Sequence, residues 1–197
     1  DIDAIAVQIS ESAGGLRHPV EEIAAAVKEV NPSIMIIADG ITAVGVEKID
    51  VTNIDALIAG SQKALMLPPG LSIIGLSNAA IEKIGGGKGY YLNLASEIKK
   101  QRQNTTAYTA ATTLIIGLLE VLETIEKDGG LAKLYADTAC RAKSVRRALE
   151  AIGLHVYPKV PAKSMITIDD ESANEIRKVL KEDYQVNVAG GQDHLKG

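Results

Sequence analysis

The chain has 197 residues, room for one domain or one and a half at roughly 100–200 residues each. With 46% hydrophobic and 23% charged residues it has globular usage, which excludes disorder, collagen-like repeats and coiled coil as whole-chain readings. Its 21 basic and 25 acidic residues leave a net charge of −4, without the basic excess of a nucleic-acid binder, and with Phe and Trp absent the 6 Tyr are too few for a base-stacking platform.

Asp1-Ile2-Asp3 runs without a starting Met into Ala4-Ile5-Ala6-Val7-Gln8-Ile9, a buried-strand pattern, so the chain is expected to enter a domain part-way. Pro19 opens a helix over Val20–Val30, with Ile23, Ala24 and Val27 on its apolar face, and Asn31-Pro32-Ser33 breaks it. Strands are predicted over Ile34–Ala38, Asp55–Gly60 and Leu71–Leu76, the last set off by Pro68-Pro69-Gly70. Near-continuous apolar strands between helices predict an α/β architecture with a sheet covered on both faces.

A short helix over Ser77–Ile84 ends at Gly85-Gly86-Gly87-Lys88-Gly89, which lacks P-loop spacing and reads as a connecting loop. An apolar helix runs from Thr109 to Glu126. Beyond Asp128-Gly129-Gly130 an amphipathic helix spans about Leu131–Ile152. Its apolar face holds Leu131, Leu134, Ala142, Val145, Leu149 and Ile152, with Thr138 the one polar interruption and Gly153 as C-cap. Arg141, Lys143, Arg146 and Arg147 read as its solvated face. Cys140, the single cysteine, lies mid-helix as a core or surface residue; alone it makes no internal disulfide or cysteine zinc cluster, which fits a reducing compartment.

The tail reads as a small α+β unit: strands at His155–Tyr157 and Met165–Ile168, a helix over Ser172–Glu182 with Ser172 as N-cap, and a last strand at Gln185–Val188. His18 reads as capping or exposed, and His155 and His194 have no partner at metal-ligand spacing, so no metal site is expected. No run approaches the ~18 apolar residues that span a membrane.

Lys63 follows the third strand in Gly60-Ser61-Gln62-Lys63-Ala64-Leu65-Met66-Leu67-Pro68-Pro69-Gly70. An amine at the carboxyl end of a buried strand, among apolar neighbours, is expected to be partly desolvated and freed as a nucleophile for a carbonyl. The alternative is a lysine snorkelling from a strand end. Asp39 ends the preceding strand before Gly40, and carboxyl ends of strands in open α/β sheets are where ligands bind. If the two strands are parallel neighbours, both side chains reach one crevice. A carboxylate and a Schiff-base lysine around one ring match the needs of pyridoxal phosphate, though a turn or capping Asp is the commoner use. A third strand end carries Ser10-Glu11-Ser12-Ala13-Gly14-Gly15, whose small residues permit close approach to a ligand.

Ser61-Gln62-Lys63-Ala64-Leu65-Met66-Leu67-Pro68-Pro69-Gly70-Leu71 resembles the cofactor-lysine motif of class V aminotransferases, most of all the alanine–glyoxylate, serine–pyruvate and serine–glyoxylate group. In matching order, Gln8-Ile9-Ser10-Glu11-Ser12 resembles the family's strand ending in Glu-Ser, and Ala38-Asp39-Gly40-Ile41-Thr42-Ala43-Val44-Gly45 its Asp-containing segment. Gln103-Asn104-Thr105-Thr106-Ala107-Tyr108-Thr109 resembles the stretch before its long helices, and Val188-Ala189-Gly190-Gly191-Gln192 a strand end of its small domain.

The resemblance implies an α/β fold of the type I pyridoxal-phosphate class. Residues 1–127 would be part of the large, mostly parallel-sheet domain, and residues 128–197 an incomplete small α+β domain. It implies a cytoplasmic aminotransferase moving an amino group from alanine or serine to pyruvate or glyoxylate, through pyridoxal 5′-phosphate held as a Schiff base by Lys63. Asp39 would pair with the pyridine nitrogen, Ile41 pack on the ring face, Ser12 lie near the phenolic oxygen and Gln62 reach the phosphate region. Thr106 would contact the phosphate of a neighbouring subunit's cofactor, implying a homodimer; where the family often has Tyr just upstream, this chain has Gln103.

The family's phosphate loop, ring-stacking residue and substrate-carboxylate arginine have no counterpart here, so the chain is expected to be an internal-to-C-terminal piece with exposed sheet edge and apolar surface. Two other readings remain open. One is a lyase or desulfurase of the same fold, although desulfurases carry His before the lysine where Gln62 stands. The other is a non-catalytic interaction module.

Overall fold

A computed structural model of the chain describes residues 2–192 and Leu195; Asp1 and His194, noted above, lie outside them, as do Asp193, Lys196 and Gly197. β1 (Ala4–Gln8) leads into a short hairpin of β2 (Ser10–Glu11) and β3 (Leu16–Arg17). Helix α1 (Val20–Val30) then returns the chain to β4 (Met35–Asp39), followed by β5 (Ala56–Gly60) and β6 (Ser72–Leu76). The sheet order is β1-β4-β5-β6, parallel in its first two pairings and antiparallel in the last. Only the loop 61–71 links β5 to β6, and it holds no helix to carry the chain back for a parallel pairing.

α1 has Glu21 and Glu22 in its first turn and Lys28 in its last, signs that suit the helix dipole. It buries Val20 and Ala24 against Ile36 and Ala38, with Ile5, Val7, Val27 and Leu57 packed around them. The other sheet face is more open. Ala4, Ala6 and Gln8 are exposed along edge strand β1, while Ile37, Asp39 and Ile58 are half-buried. The expectation of cover on both faces is therefore corrected: within the described residues only the α1 side is sealed. Alternating exposure along β1, rather than hydropathy, marks the open side.

Beyond the sheet come α2 (Asn78–Ile84), α3 (Leu94–Gln101), α4 (Thr112–Lys127), α5 (Gly130–Ala151), β7 (His155–Val156), β8 (Ile168–Asp169) and α6 (Ala173–Tyr184). α3 is an element that hydrophobic periodicity does not reveal. It has no buried residue and starts at Asn93, whose side chain accepts from Ser96 N. The predicted strand Gln185–Val188 is absent: Gln185 adopts φ 56° to end α6, and Val186 N returns to Leu180 O at 2.8 Å. Ser172 stands at the N-cap of α6 without a side-chain capping bond.

Gly153 follows α5 at φ 89°, with Leu154 N bonded to Leu149 O at 3.0 Å, the helix-ending role expected of it. Thr138 is accommodated by donating its hydroxyl to Leu134 O at 2.9 Å. Arg146 is half-buried, its Nη1 enclosed with no hydrogen-bond partner among the described residues, which corrects its assignment to the solvated face of α5. Ile115, Ile116, Leu119 and Leu122 of α4 remain exposed.

Two charged networks tie these elements together. Asp55, 5% exposed ahead of β5, pairs with Lys28 of α1 at 2.6 Å and accepts from Ile36 N and Ser77 Oγ. Burial pushes this carboxyl upward, but Lys28 and the two hydrogen bonds outweigh it and hold Asp55 below the usual carboxylate range. Glu47 binds Arg17 at 2.9 Å and Lys163 at 3.1 Å, and Arg17 also binds Glu21 at 2.7 Å. Burial opposes the charge on Arg17, yet its bonds to Glu21 and Glu47 leave the guanidinium raised.

Candidate active site

Loops leave the carboxyl ends of β1, β4 and β5, and five of the six predicted site residues lie on them or at the strand end they leave; contacts join Asp39 to Ile41 and set Ile41 and Gln62 together against Gly60. Register places Gln8, Asp39 and Ile58 side by side on the open face, where Ala6, Val7 and Ile37 complete the lining of a groove. Asp39 sits at the mouth of this groove. Its Oδ1 accepts from Ile41 N at 3.0 Å, which folds the chain into the turn after β4 and orients the carboxylate. Its Oδ2 has no hydrogen-bond partner among the described residues.

Ile41 and Gln62 meet over Gly60. A side-chain carbon at Gly60 would stand 2.6 Å from Gln62 Oε1 and 3.0 Å from Ile41 Cδ1, so the glycine leaves room for these two side chains at the end of β5. The turn after β4 is fixed to both neighbours: Thr42 donates its hydroxyl to Ser10 O at 3.2 Å, and Gly45 lies against the methyl of Ala64.

Ser12 is exposed in the β2–β3 turn. Glu11 shapes that turn by accepting from Ala13 N at 2.6 Å and Gly14 N at 2.7 Å. The following Gly15 has φ 70° and presses on Thr167 and Met165, so the C-terminal region braces the turn. Ala162 N, bonded to Gly15 O at 2.8 Å, adds a further tie.

Lys63 lies in the loop 61–71. The expected desolvation is corrected: Lys63 is exposed in this chain, because the apolar residues after it point elsewhere, with Leu65 buried. Leu67 of the same loop packs on Gly117 of α4. Sequence reasoning quoted Ser61 and Thr42 without a role for either. A hydroxyl at the end of an apolar strand, just ahead of a Pro-Pro-Gly turn, was the available signal.

Thr106 stands apart. Its hydroxyl donates to Tyr108 O, and Tyr108 packs edge-on against Tyr90 and Tyr91 at 5.8 and 5.0 Å. Among the described residues no hydrogen bond joins Thr106 to Asp39 or Lys63. Cys140 is exposed on α5. Among the described residues no cluster could hold a metal ion, and no helix is long and apolar enough to cross a membrane.

The donor set suits pyridoxal phosphate. A carboxylate with a free oxygen complements a protonated ring nitrogen, and an exposed amine an aldehyde. A hydroxyl and an amide remain for the phenolic and phosphate oxygens, and Ile41 is an aliphatic surface for the ring.

The family described as aminotransferase class-V matches residues 1–195. An uncharacterised aminotransferase of Helicobacter pylori is 51% identical over the whole of this chain and 53% of its own length. A serine–glyoxylate aminotransferase of Methylorubrum extorquens is 30% identical over 97% of this chain and 50% of its own length. The crystal structure of a subgroup IV aspartate aminotransferase from Thermus thermophilus superposes with a TM-score of 0.91 at 30% identity, over 99% of this chain and 56% of that one. The chain thus spans about half the length of the curated relatives it matches. In sequence and in α/β fold, the chain belongs to the class-V aminotransferase family.

Proposed function

We propose that this chain carries the cofactor-binding part of an aminotransferase that moves an amino group from alanine or serine to pyruvate or glyoxylate. One observation carries the reading: Asp39, Ile41, Gln62, Lys63 and Ser12 stand on three loops that hydrogen bonds and packing lock together at one end of the sheet. The resemblance to a serine–glyoxylate aminotransferase supports this choice of substrates.

Pyridoxal 5′-phosphate, when bound, supplies an electron sink that stabilises charge developing at the substrate carbon. Among the remaining roles, this chain's residues would take those of attachment, ring-nitrogen pairing and ring packing. Lys63 Nζ would hold the cofactor aldehyde and carry the proton during transfer. Asp39, oriented by the Ile41 amide, would keep the ring nitrogen protonated. Ile41 would pack on the ring face, Ser12 would lie near the phenolic oxygen, and Gln62 would reach the phosphate region. By the family resemblance Thr106 would contact the phosphate of a second subunit's cofactor, which makes the working unit a homodimer with shared sites. The large domain extends to Lys127, the helix break at Asp128-Gly129 opens the small one, and the setting is the reducing cytoplasm.

The test is a half-reaction. The whole protein, loaded with pyridoxal phosphate and given alanine or serine without acceptor, should release about one equivalent of 2-oxo acid per site. Glyoxylate or pyruvate should then restore it for another round. Release of sulfur from cysteine instead, lost in Cys140→Ser, would make it a desulfurase.

A further inference from the structure

The side chain of Lys63 is exposed and makes no hydrogen bond or ion pair among the described residues, so its backbone alone decides where the amine stands. That backbone is held by a residue with no chemistry of its own. Ser61 is completely buried at the end of β5. Its hydroxyl donates to Pro68 O at 2.7 Å and accepts from Leu71 N at 3.2 Å. Its main chain adds two more ties, Ser61 N to Leu71 O at 3.2 Å and Leu67 N to Ser61 O at 3.0 Å.

These bonds converge on one residue and close the loop 61–71 at its base. Met66 N, bonded to Lys63 O at 3.0 Å, tightens the turn inside it. Met66 adopts φ 55°, a conformation that a non-glycine residue holds only when its surroundings enforce it. Among the described residues the Ser61 hydroxyl makes both side-chain hydrogen bonds of this closure, one as donor and one as acceptor.

We propose, resting on the reading of Lys63 as the cofactor-attaching amine, that Ser61 is a positioning residue: its buried hydroxyl sets the loop from which Lys63 engages pyridoxal phosphate. Losing the hydroxyl leaves Pro68 O and Leu71 N without their partner and lets the loop open.

The test uses the whole protein without cofactor. It is mixed with pyridoxal phosphate and quenched with borohydride at intervals, and attachment at Lys63 and at the exposed control Lys48 is read by peptide mass. Ser61→Ala should slow attachment at Lys63 about tenfold, the loss of one buried hydrogen bond expressed as a rate, with Lys48 unchanged. Ser61→Cys, which keeps a weak donor, should fall between. Hydrogen exchange at Leu67 and Leu71 should quicken in the same order while β4 stays protected. If Ser61→Ala does not fold, Ser61→Cys carries the comparison. Attachment at the wild-type rate in a variant with loosened Leu67 and Leu71 amides would overturn the inference and leave the function intact. Equal slowing at Lys48 would also overturn it. A wild-type protein that never attaches the cofactor at Lys63 would defeat the functional reading, and the inference with it.

Discussion

Asp39 and Lys63 bring opposite charges to one end of the sheet by different means. Asp39 is fixed by the Ile41 amide, whereas Lys63 depends on its loop. Asp39→Asn should weaken pyridoxal phosphate binding roughly ten- to a hundredfold, the value of one charge-assisted hydrogen bond at about 1.5–3 kcal/mol. Equilibrium titration of the apoprotein checks this. Gly15→Ala tests the Ser12 turn: at φ 70°, with Thr167 Oγ1 2.5 Å from the new carbon, it should cost about 1–3 kcal/mol in urea unfolding. The roles of Lys63 and Asp39 were legible because strand-end position and residue type suffice to suggest them. The exposure of Lys63 was not, because neighbours in sequence do not say which way each side chain of a loop turns.

Asp55 is the clearest case at the scale of elements, since it joins α1, β4, β5 and the cap of α2 through Lys28, Ile36 and Ser77. Asp55→Ala leaves the part-buried Lys28 ammonium with only the Pro32 and Ile34 carbonyls and no counter-charge, and should destabilise the fold by about 3 kcal/mol in denaturant unfolding. The folded carboxyl lies below its unfolded value of about 3.9, so its contribution is complete above that pH and is lost as pH falls through the folded value. Unfolding series at pH 7 and pH 5 should therefore give the same Asp55 contribution, and a series at pH 3 a smaller one. The Lys28–Asp55 pair was not legible, because it joins residues on separate elements. Helix α1 was, with the boundaries Val20–Val30, because Pro19 and Asn31-Pro32 punctuate a clear apolar period. α3 escaped notice because it buries nothing, and Gln185–Val188 misled because its β-branched alternation lies in a chain that finds no partner strand.

Exposed apolar surface governs the behaviour of the whole molecule. The α1 side of the sheet is sealed, while β1 presents an edge and α4 presents Ile115, Ile116, Leu119 and Leu122. Contiguous exposed apolar groups of this kind mark surfaces that pack against something. The whole protein should sediment as a dimer, and this 197-residue chain by itself should bind a hydrophobic dye, with Leu119→Glu reducing the signal.

The central claim is that Lys63 is the amine that takes pyridoxal phosphate at the end of β5. Borohydride reduction of the loaded whole protein, followed by peptide mapping, tests it directly. One reduced cofactor per chain is expected, on the peptide containing Lys63, and none there in Lys63→Ala. Stoichiometric label on another lysine, with Lys63 unmodified, would contradict it.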